Sequence, residues 1–271
     1  MFFFILLPKI LKQHEMIMKR FSLILGMVLT TVFASCSLDE EYDTTEDSSK
    51  MSTTSLLVQS ITATSERGAT VVTDQYTYNG TKLVKITSTD GREVVYTYGG
   101  DLIIRKDFYL NNVLNSKEFF EYSRQGQLLK YRRENASGTT TYNAVYTNNS
   151  DGTVIVKGYS GSSTSPSSQI VNRKVFTAGI RVNKIENYTV QNGTTVTEVL
   201  NYSYDSKNSP FKNITGFDKL AYYDITANPN YNNVQSVTSG SAVVESAQYV
   251  YNGANYPLSA DKGSVTFDYV Y

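Results

Sequence analysis

Among its 271 residues the chain has no tryptophan, one histidine, one cysteine and five prolines, and each scarcity removes a class of chemistry or architecture. The histidine is His14 and the cysteine Cys36, so from residue 37 onward there is neither imidazole nor thiol. Serine–histidine and cysteine–histidine nucleophilic sites are excluded there, because the base that activates the nucleophile is missing. Zinc, copper and haem sites built on imidazole or thiolate fall for the same reason, and no cofactor is expected. One cysteine cannot make an intrachain disulfide, so stability has to come from packing. What chemistry remains rests on carboxylates, lysine, tyrosine or bound calcium.

What is present begins with a secretory pattern. Met18-Lys19-Arg20 is a short basic head, residues 21–31 are an apolar core, and Val32-Phe33-Ala34-Ser35 is a small-residue cleavage region. Residues 21–35 number 15, short of the about 20 that a membrane-spanning helix needs. Residues 2–7 form a second apolar run, stopped by Pro8. Translation can therefore begin at Met1, Met16 or Met18, and Met18 fits the head best. The run Phe33-Ala34-Ser35-Cys36 resembles a bacterial lipobox, although Phe33 and Ser35 stand where leucine and glycine or alanine are commoner. The resemblance implies cleavage before Cys36, a diacylglycerol on its sulfur, and a membrane partnership through that lipid. The expected division is 1–35 signal region, 36–55 lipidated cysteine and tether, and 56–271 folded domain.

Residues 37–50 carry six acids against Lys50 alone, with Leu38 and Tyr42 their only large apolar side chains. That composition predicts a solvated tether. A calcium loop would need alternating ligands around a central glycine, which the segment lacks. Acids directly after the cysteine also resemble the export signal that places Bacteroidetes lipoproteins on the outer leaflet of the outer membrane. From Met51 on there are 20 basic and 18 acidic residues, a balance that gives no reason to expect nucleic acid.

The region 56–271 reads as strand throughout. It is rich in tyrosine, valine, threonine and isoleucine, which suit a pleated, half-buried surface. Asn79-Gly80, Asp90-Gly91, Asp151-Gly152, Asn192-Gly193 and Asn252-Gly253 mark tight hairpins. Val265, Phe267, Tyr269 and Tyr271 alternate onto one face, as do Val94, Tyr96 and Tyr98. A loose repeat underlies these strands: Tyr-x-Tyr, a turn, then an apolar pair. Its copies begin at Tyr76, Tyr96, Phe120, Tyr202, Tyr249 and Tyr269, with Leu83-Val84, Leu102-Ile103 and Leu128-Leu129 as the clearest apolar pairs. The expected fold is all-β: an antiparallel meander of a dozen or so strands in one curled sheet or open barrel, with a β-sandwich as the alternative. Ser160 to Ser168 is a Ser-rich loop outside the repeat. Phe217, Leu220 and Ala221 have helical spacing and predict a short helical turn, and 227–233 reads as an exposed loop connecting elements at one end of the core.

The Tyr-x-Tyr-Asp/Asn pattern resembles the YD repeat of Rhs-type proteins. Tyr202-Ser203-Tyr204-Asp205-Ser206-Lys207-Asn208-Ser209-Pro210-Phe211 and Tyr251-Asn252-Gly253-Ala254-Asn255-Tyr256-Pro257 look like segments of Bacteroidetes surface lipoproteins of unknown function. The resemblance implies a curled sheet and a surface location, and no activity or functional residue.

Two classes of function follow, with a third beside them. One is a binding or structural lipoprotein, acting as a monomer, that recognises a glycan or an envelope protein through its tyrosines. Against that use, a Tyr-x-Tyr doublet on an alternating strand mostly packs across strands. The second is a carboxylate-dependent glycoside hydrolase, for which Asp107, Glu118, Glu121, Glu186 and Glu198 are candidates, although no pair is singled out by spacing. The third is a carrier of lipid or another apolar ligand, with the sheet closed round a cavity. A packed or an open concave face separates these readings.

Overall fold

The computed structural model describes residues 56–65, 70–220 and 231–271. Cys36, the signal region, the acidic segment and residues 227–230 of the expected loop lie outside the described residues.

The described chain is all-β, with 17 antiparallel strands in chain order. They are β1 (Ser60–Ser65), β2 (Val71–Asn79), β3 (Lys82–Ser88), β4 (Arg92–Gly99), β5 (Leu102–Leu110), β6 (Val113–Tyr122), β7 (Leu128–Asn135), β8 (Thr140–Asn148) and β9 (Thr153–Ser160), followed by β10 (Gln169–Ala178), β11 (Arg181–Gln191), β12 (Thr194–Tyr204), β13 (Val234–Ser239), β14 (Ala242–Ser246), β15 (Gln248–Tyr251), β16 (Pro257–Asp261) and β17 (Val265–Val270). From β1 to β14 each strand pairs with the next. β15, β16 and β17 continue the series, and β17 pairs back onto β1, with Ser60 opposite Val270. β14 and β15 are separated only by Ala247, whose amide donates to the Gln235 carbonyl at 2.9 Å. Together they act as one stave that joins β13 to β16, so the meander curls into a barrel.

Seventeen strands exceed the expected dozen, because Asx-Gly dipeptides mark only some of the turns. The β5–β6 turn uses Asn111 and Asn112, both at positive φ, and the β10–β11 turn uses Gly179. In the Asn252-Gly253 turn the left-handed residue is Asn255 rather than the glycine.

The repeat has a geometric meaning that spacing alone does not reveal. In the doublets ending at Tyr78, Tyr98, Tyr122, Tyr204 and Tyr251 the ladder shifts register immediately before the second tyrosine. Leu83 pairs with Tyr78 and Lys85 with Thr77, which leaves Val84 as the extra residue of a bulge. Ile104, Leu129 and Leu258 stand in the same place on their strands. Leu83, Ile103 and Leu128 are buried, while the bulge residues Val84, Ile104 and Leu129 are exposed, so in the second copy the pair at the bulge is Ile103-Ile104 rather than the expected Leu102-Ile103. Strict alternation from Leu83 would turn Lys85 inward and Ile86 outward; the bulge at Val84 shifts the phase so that Leu83 and Ile86 are both buried.

The second tyrosine also ties neighbouring hairpins together. Tyr78 donates to the Val58 carbonyl at 2.7 Å, Tyr122 to Ile103 at 2.8 Å and Tyr204 to Val182 at 2.6 Å. Each bond reaches back about one repeat and satisfies a hydroxyl that would be costly to bury unpaired. The inner face of the wall is apolar and aromatic. Tyr76, Ile86, Ile103, Phe120, Tyr131 and Val175 belong to one buried cluster that also takes in Phe211, Ile214, Phe217 and Leu220 from the β12–β13 connection. That connection crosses the end of the barrel where β2 turns into β3 and β4 into β5. The Thr215 amide donates to the Thr81 carbonyl at 3.0 Å, and Tyr98 donates to the Thr215 carbonyl at 3.2 Å. The expected helical turn is present as a 3-10 helix, Phe217–Leu220, and its two apolar ends are buried.

Candidate binding cleft inside the barrel

The interior is mostly filled. Among the described residues a cleft of about 70 Å³ lies between the connection and the inner faces of β1, β2, β15 and β17. Asp74, Tyr76, Phe211, Asn233, Tyr249 and Tyr269 line it. Alternation along β2 turns Val72, Asp74 and Tyr76 inward together. Ile61 pairs with Asp74 on one side and Tyr269 on the other, so the carboxyl and the phenol share one row across three strands. From the connection, the Phe211 ring lies 6.5 Å from Tyr76 and stacks 5.8 Å from Phe217.

Asp205 holds that connection in place. Its carboxylate accepts the backbone amides of Lys207 and Asn233, both at 3.0 Å, the Asn233 side-chain amide at 3.0 Å, and the Tyr251 hydroxyl. Both ends of the 205–233 segment meet on one carboxylate, which then anchors to β15.

The cleft is rich in acceptors. Burial raises the Asp74 carboxyl above the usual carboxylate range, against the opposing pull of the Ser88 hydroxyl and the Arg92 guanidinium. Ser88 donates to Asp74 Oδ1, and Arg92 Nη2 stands 3.9 Å from the same oxygen; among the described residues these partners leave lone pairs of the carboxylate open. Asn233 donates both amide hydrogens elsewhere, to Asp205 and to the Asn208 carbonyl. Tyr249 gives its hydroxyl hydrogen to the Val234 carbonyl at 2.9 Å. Burial holds the Tyr76, Tyr249 and Tyr269 hydroxyls far above neutrality, so all three stay protonated.

A second interior cluster is structural in character. Lys106 and Glu118 pair across β5 and β6, their side chains only 6% and 4% exposed and their charged atoms 3.8 Å apart. Tyr131 donates to Glu118 at 2.7 Å, Arg133 reaches the same oxygen at 3.2 Å and donates to Tyr131 at 2.8 Å. Lys106 also lies 5.7 Å over the Tyr96 ring and 5.4 Å over Phe120. Every member is tied to another, as buried charges require.

Of the five carboxylates considered for hydrolysis, only Glu118 faces inward. Asp107 alternates away from the interior but is itself buried beside Arg105 at 2.7 Å, and Glu121 with Lys130 at 3.0 Å and Glu186 with Lys184 at 2.8 Å are on the outer face. Glu198 accepts from Asn187 at 3.2 Å on an exposed stretch of β12. The fold brings no two of them together across a cleft. Among the described residues there is no cluster of three or more potential metal ligands. Asp74, Asp205 and Asn233 escaped the sequence reading. The signal for Asp74 was its place in Val72-x-Asp74-x-Tyr76-x-Tyr78, a carboxylate in phase with an apolar stripe. The doublets at Tyr76, Tyr96, Tyr202 and Tyr269 are packed in or against the core, as cross-strand packing requires.

No family model matches the sequence, and no curated protein does. Among solved structures the chain is similar to a porin-like protein from Bacteroides vulgatus, with 15% identity and a TM-score of 0.49 over 79% of this chain and 98% of that one. A porin-like protein from Bacteroides uniformis is similar at 11% identity and a TM-score of 0.48, over 79% of this chain and 97% of the other. At that identity the likeness assigns no role to any residue.

Proposed function

We propose that the chain is a lipoprotein held at the outer membrane, exposed at the cell surface, through acylated Cys36, and that its barrel serves binding, of a glycan or an envelope protein, rather than conduction. The observation that carries this reading is the sign of the wall. A barrel that spans a bilayer presents an apolar band to lipid and a polar lumen to water. Here the aromatic side chains point inward and fill the barrel. The outer face carries Lys85–Glu93 at 3.1 Å, Arg105–Asp107, Lys130–Glu121, Arg132–Glu134 and Lys184–Glu186. Near a bilayer midplane the five cations alone would cost roughly 10–20 kcal/mol. A water-filled pore through a bilayer would need the opposite polarity. A carrier of lipid would need a larger apolar cavity than the cleft supplies, since ligand pockets run to about 300–1,000 Å³.

Two measurements on the full chain test the reading. The wild type should partition with membranes and give no single-channel current in planar bilayers. Cys36→Ala should lose detergent partitioning, because one acyl attachment residue is all that ties a charged barrel to lipid. Stepwise conductance, or unchanged partitioning of the variant, would refute it.

A further inference from the structure

The interior cleft has a chemical preference that its residues define. It is lined by the aromatic side chains of Tyr76, Phe211, Tyr249 and Tyr269, and the acceptors of Asp74, Asn233 and Tyr249 stand beside the protonated hydroxyls of Tyr76 and Tyr269. Asp74 brings a carboxylate with one hydroxyl donor on it and one guanidinium at 3.9 Å. Asn233 has spent both hydrogens and keeps its carbonyl oxygen. Tyr249 has spent its hydrogen and keeps an oxygen lone pair. A carboxylate, spare acceptors and π faces all attract the same partner, a compact positive donor.

We propose that this cleft is a binding site for a primary ammonium group, carried by a small amine or by an amino sugar at the end of a glycan. The proposal rests on the binding role above and gives it a ligand class. Size agrees with it. A volume of about 70 Å³ admits a few non-hydrogen atoms, enough for an ammonium and its first carbons, with the remainder of a larger ligand outside. Tyr249, Lys262, Phe267 and Tyr269 are half-buried while the other lining residues are buried, so the cleft opens on the side of β15 and β17. Lys262 is the one cation among the described residues that line the cleft. Its ammonium is held by Glu245 at 2.8 Å, which neutralises the charge that would otherwise repel the ligand.

The test is a ligand-observed NMR titration of the full mature chain in detergent. The probes are ethanolamine against ethylene glycol and glucosamine against glucose. Both ammonium probes should bind at least tenfold more tightly than their neutral counterparts if a bare ammonium suffices. Binding of glucosamine alone assigns the site to amino sugars. Asp74→Asn should weaken ammonium binding by tenfold or more while the melting temperature stays at or above the wild-type value. Should that variant misfold, Tyr249→Leu removes a ring and an acceptor without touching the carboxylate and should weaken ammonium binding, whereas Tyr249→Phe, which keeps the ring, should weaken it less. Equal binding of charged and neutral probes, ammonium binding unaffected by Asp74→Asn, or no binding of either amine overturns the proposal. None of those results touches the anchored barrel, which a conductance measurement would sink independently.

Discussion

Replacing Glu118 with glutamine tests whether the interior is as dry as the packing implies. Glutamine keeps the shape and can still accept from Tyr131 and Arg133, so the change isolates charge. Lys106 and Glu118 are 3.8 Å apart with both side chains more than nine-tenths buried. At an effective dielectric of about 20 their attraction is about 4 kcal/mol. Removing one partner of a buried pair usually costs about 3–5 kcal/mol, because the other charge stays behind. Lys106 keeps the ring faces of Tyr96 and Phe120, each worth about 1–2 kcal/mol when desolvated, which offsets part of the loss. The expected net cost of Glu118→Gln is about 3 kcal/mol. For a domain of this size that is a fall of roughly 6–12 °C in Tm. Urea unfolding followed by circular dichroism at neutral pH supplies the free energy. The double variant Lys106→Met with Glu118→Gln should recover part of the loss, since Lys106 is no longer orphaned while Arg133 still lacks its carboxylate. A single-variant cost below about 1 kcal/mol, with no recovery in the double variant, would mean that water reaches the pair and that the barrel is wet.

Tyr122→Phe removes the bond to the Ile103 carbonyl while keeping the ring, and should cost about 1 kcal/mol by urea unfolding; no change would show that this link between repeats is dispensable. Deleting residues 267–271 removes most of β17, which pairs with both β16 and β1, so the barrel loses its closure. The truncated chain should unfold or aggregate, and a retained melting temperature would make β17 peripheral. Asp74 makes stability fall with rising pH, because the folded state holds its proton more tightly than the unfolded chain. The loss begins above the unfolded carboxylate pKa and is complete above the raised folded one. The neighbours that modulate it are Ser88, Arg92 and Asp90. Asp74→Asn should flatten that slope in melting curves across the acidic range and should not destabilise at neutral pH; an unchanged slope would contradict the burial argument.

The sequence by itself determined the fold class, several of the turns and the inward face. Alternation with period two is a local property, and so are the positive backbone angles of Asn79-Gly80 or Asp90-Gly91; both survive any tertiary arrangement. It also limited the chemistry, since no fold can supply an imidazole that the chain lacks. Closure of the barrel was a tertiary decision, because nothing local announces that Ser60 will face Val270. The role of the apolar pairs was hidden for a related reason: Val84 and Ile104 look like core until the ladder places a bulge beneath them. The cleft was the least legible of all. Asp74, Asn233 and Tyr249 come from β2, the end of a long connection and β15, and only the closed wall brings their acceptors to one place. A sequence records which side chains face inward, whereas convergence of inward-facing groups depends on distances between strands that are far apart along the chain.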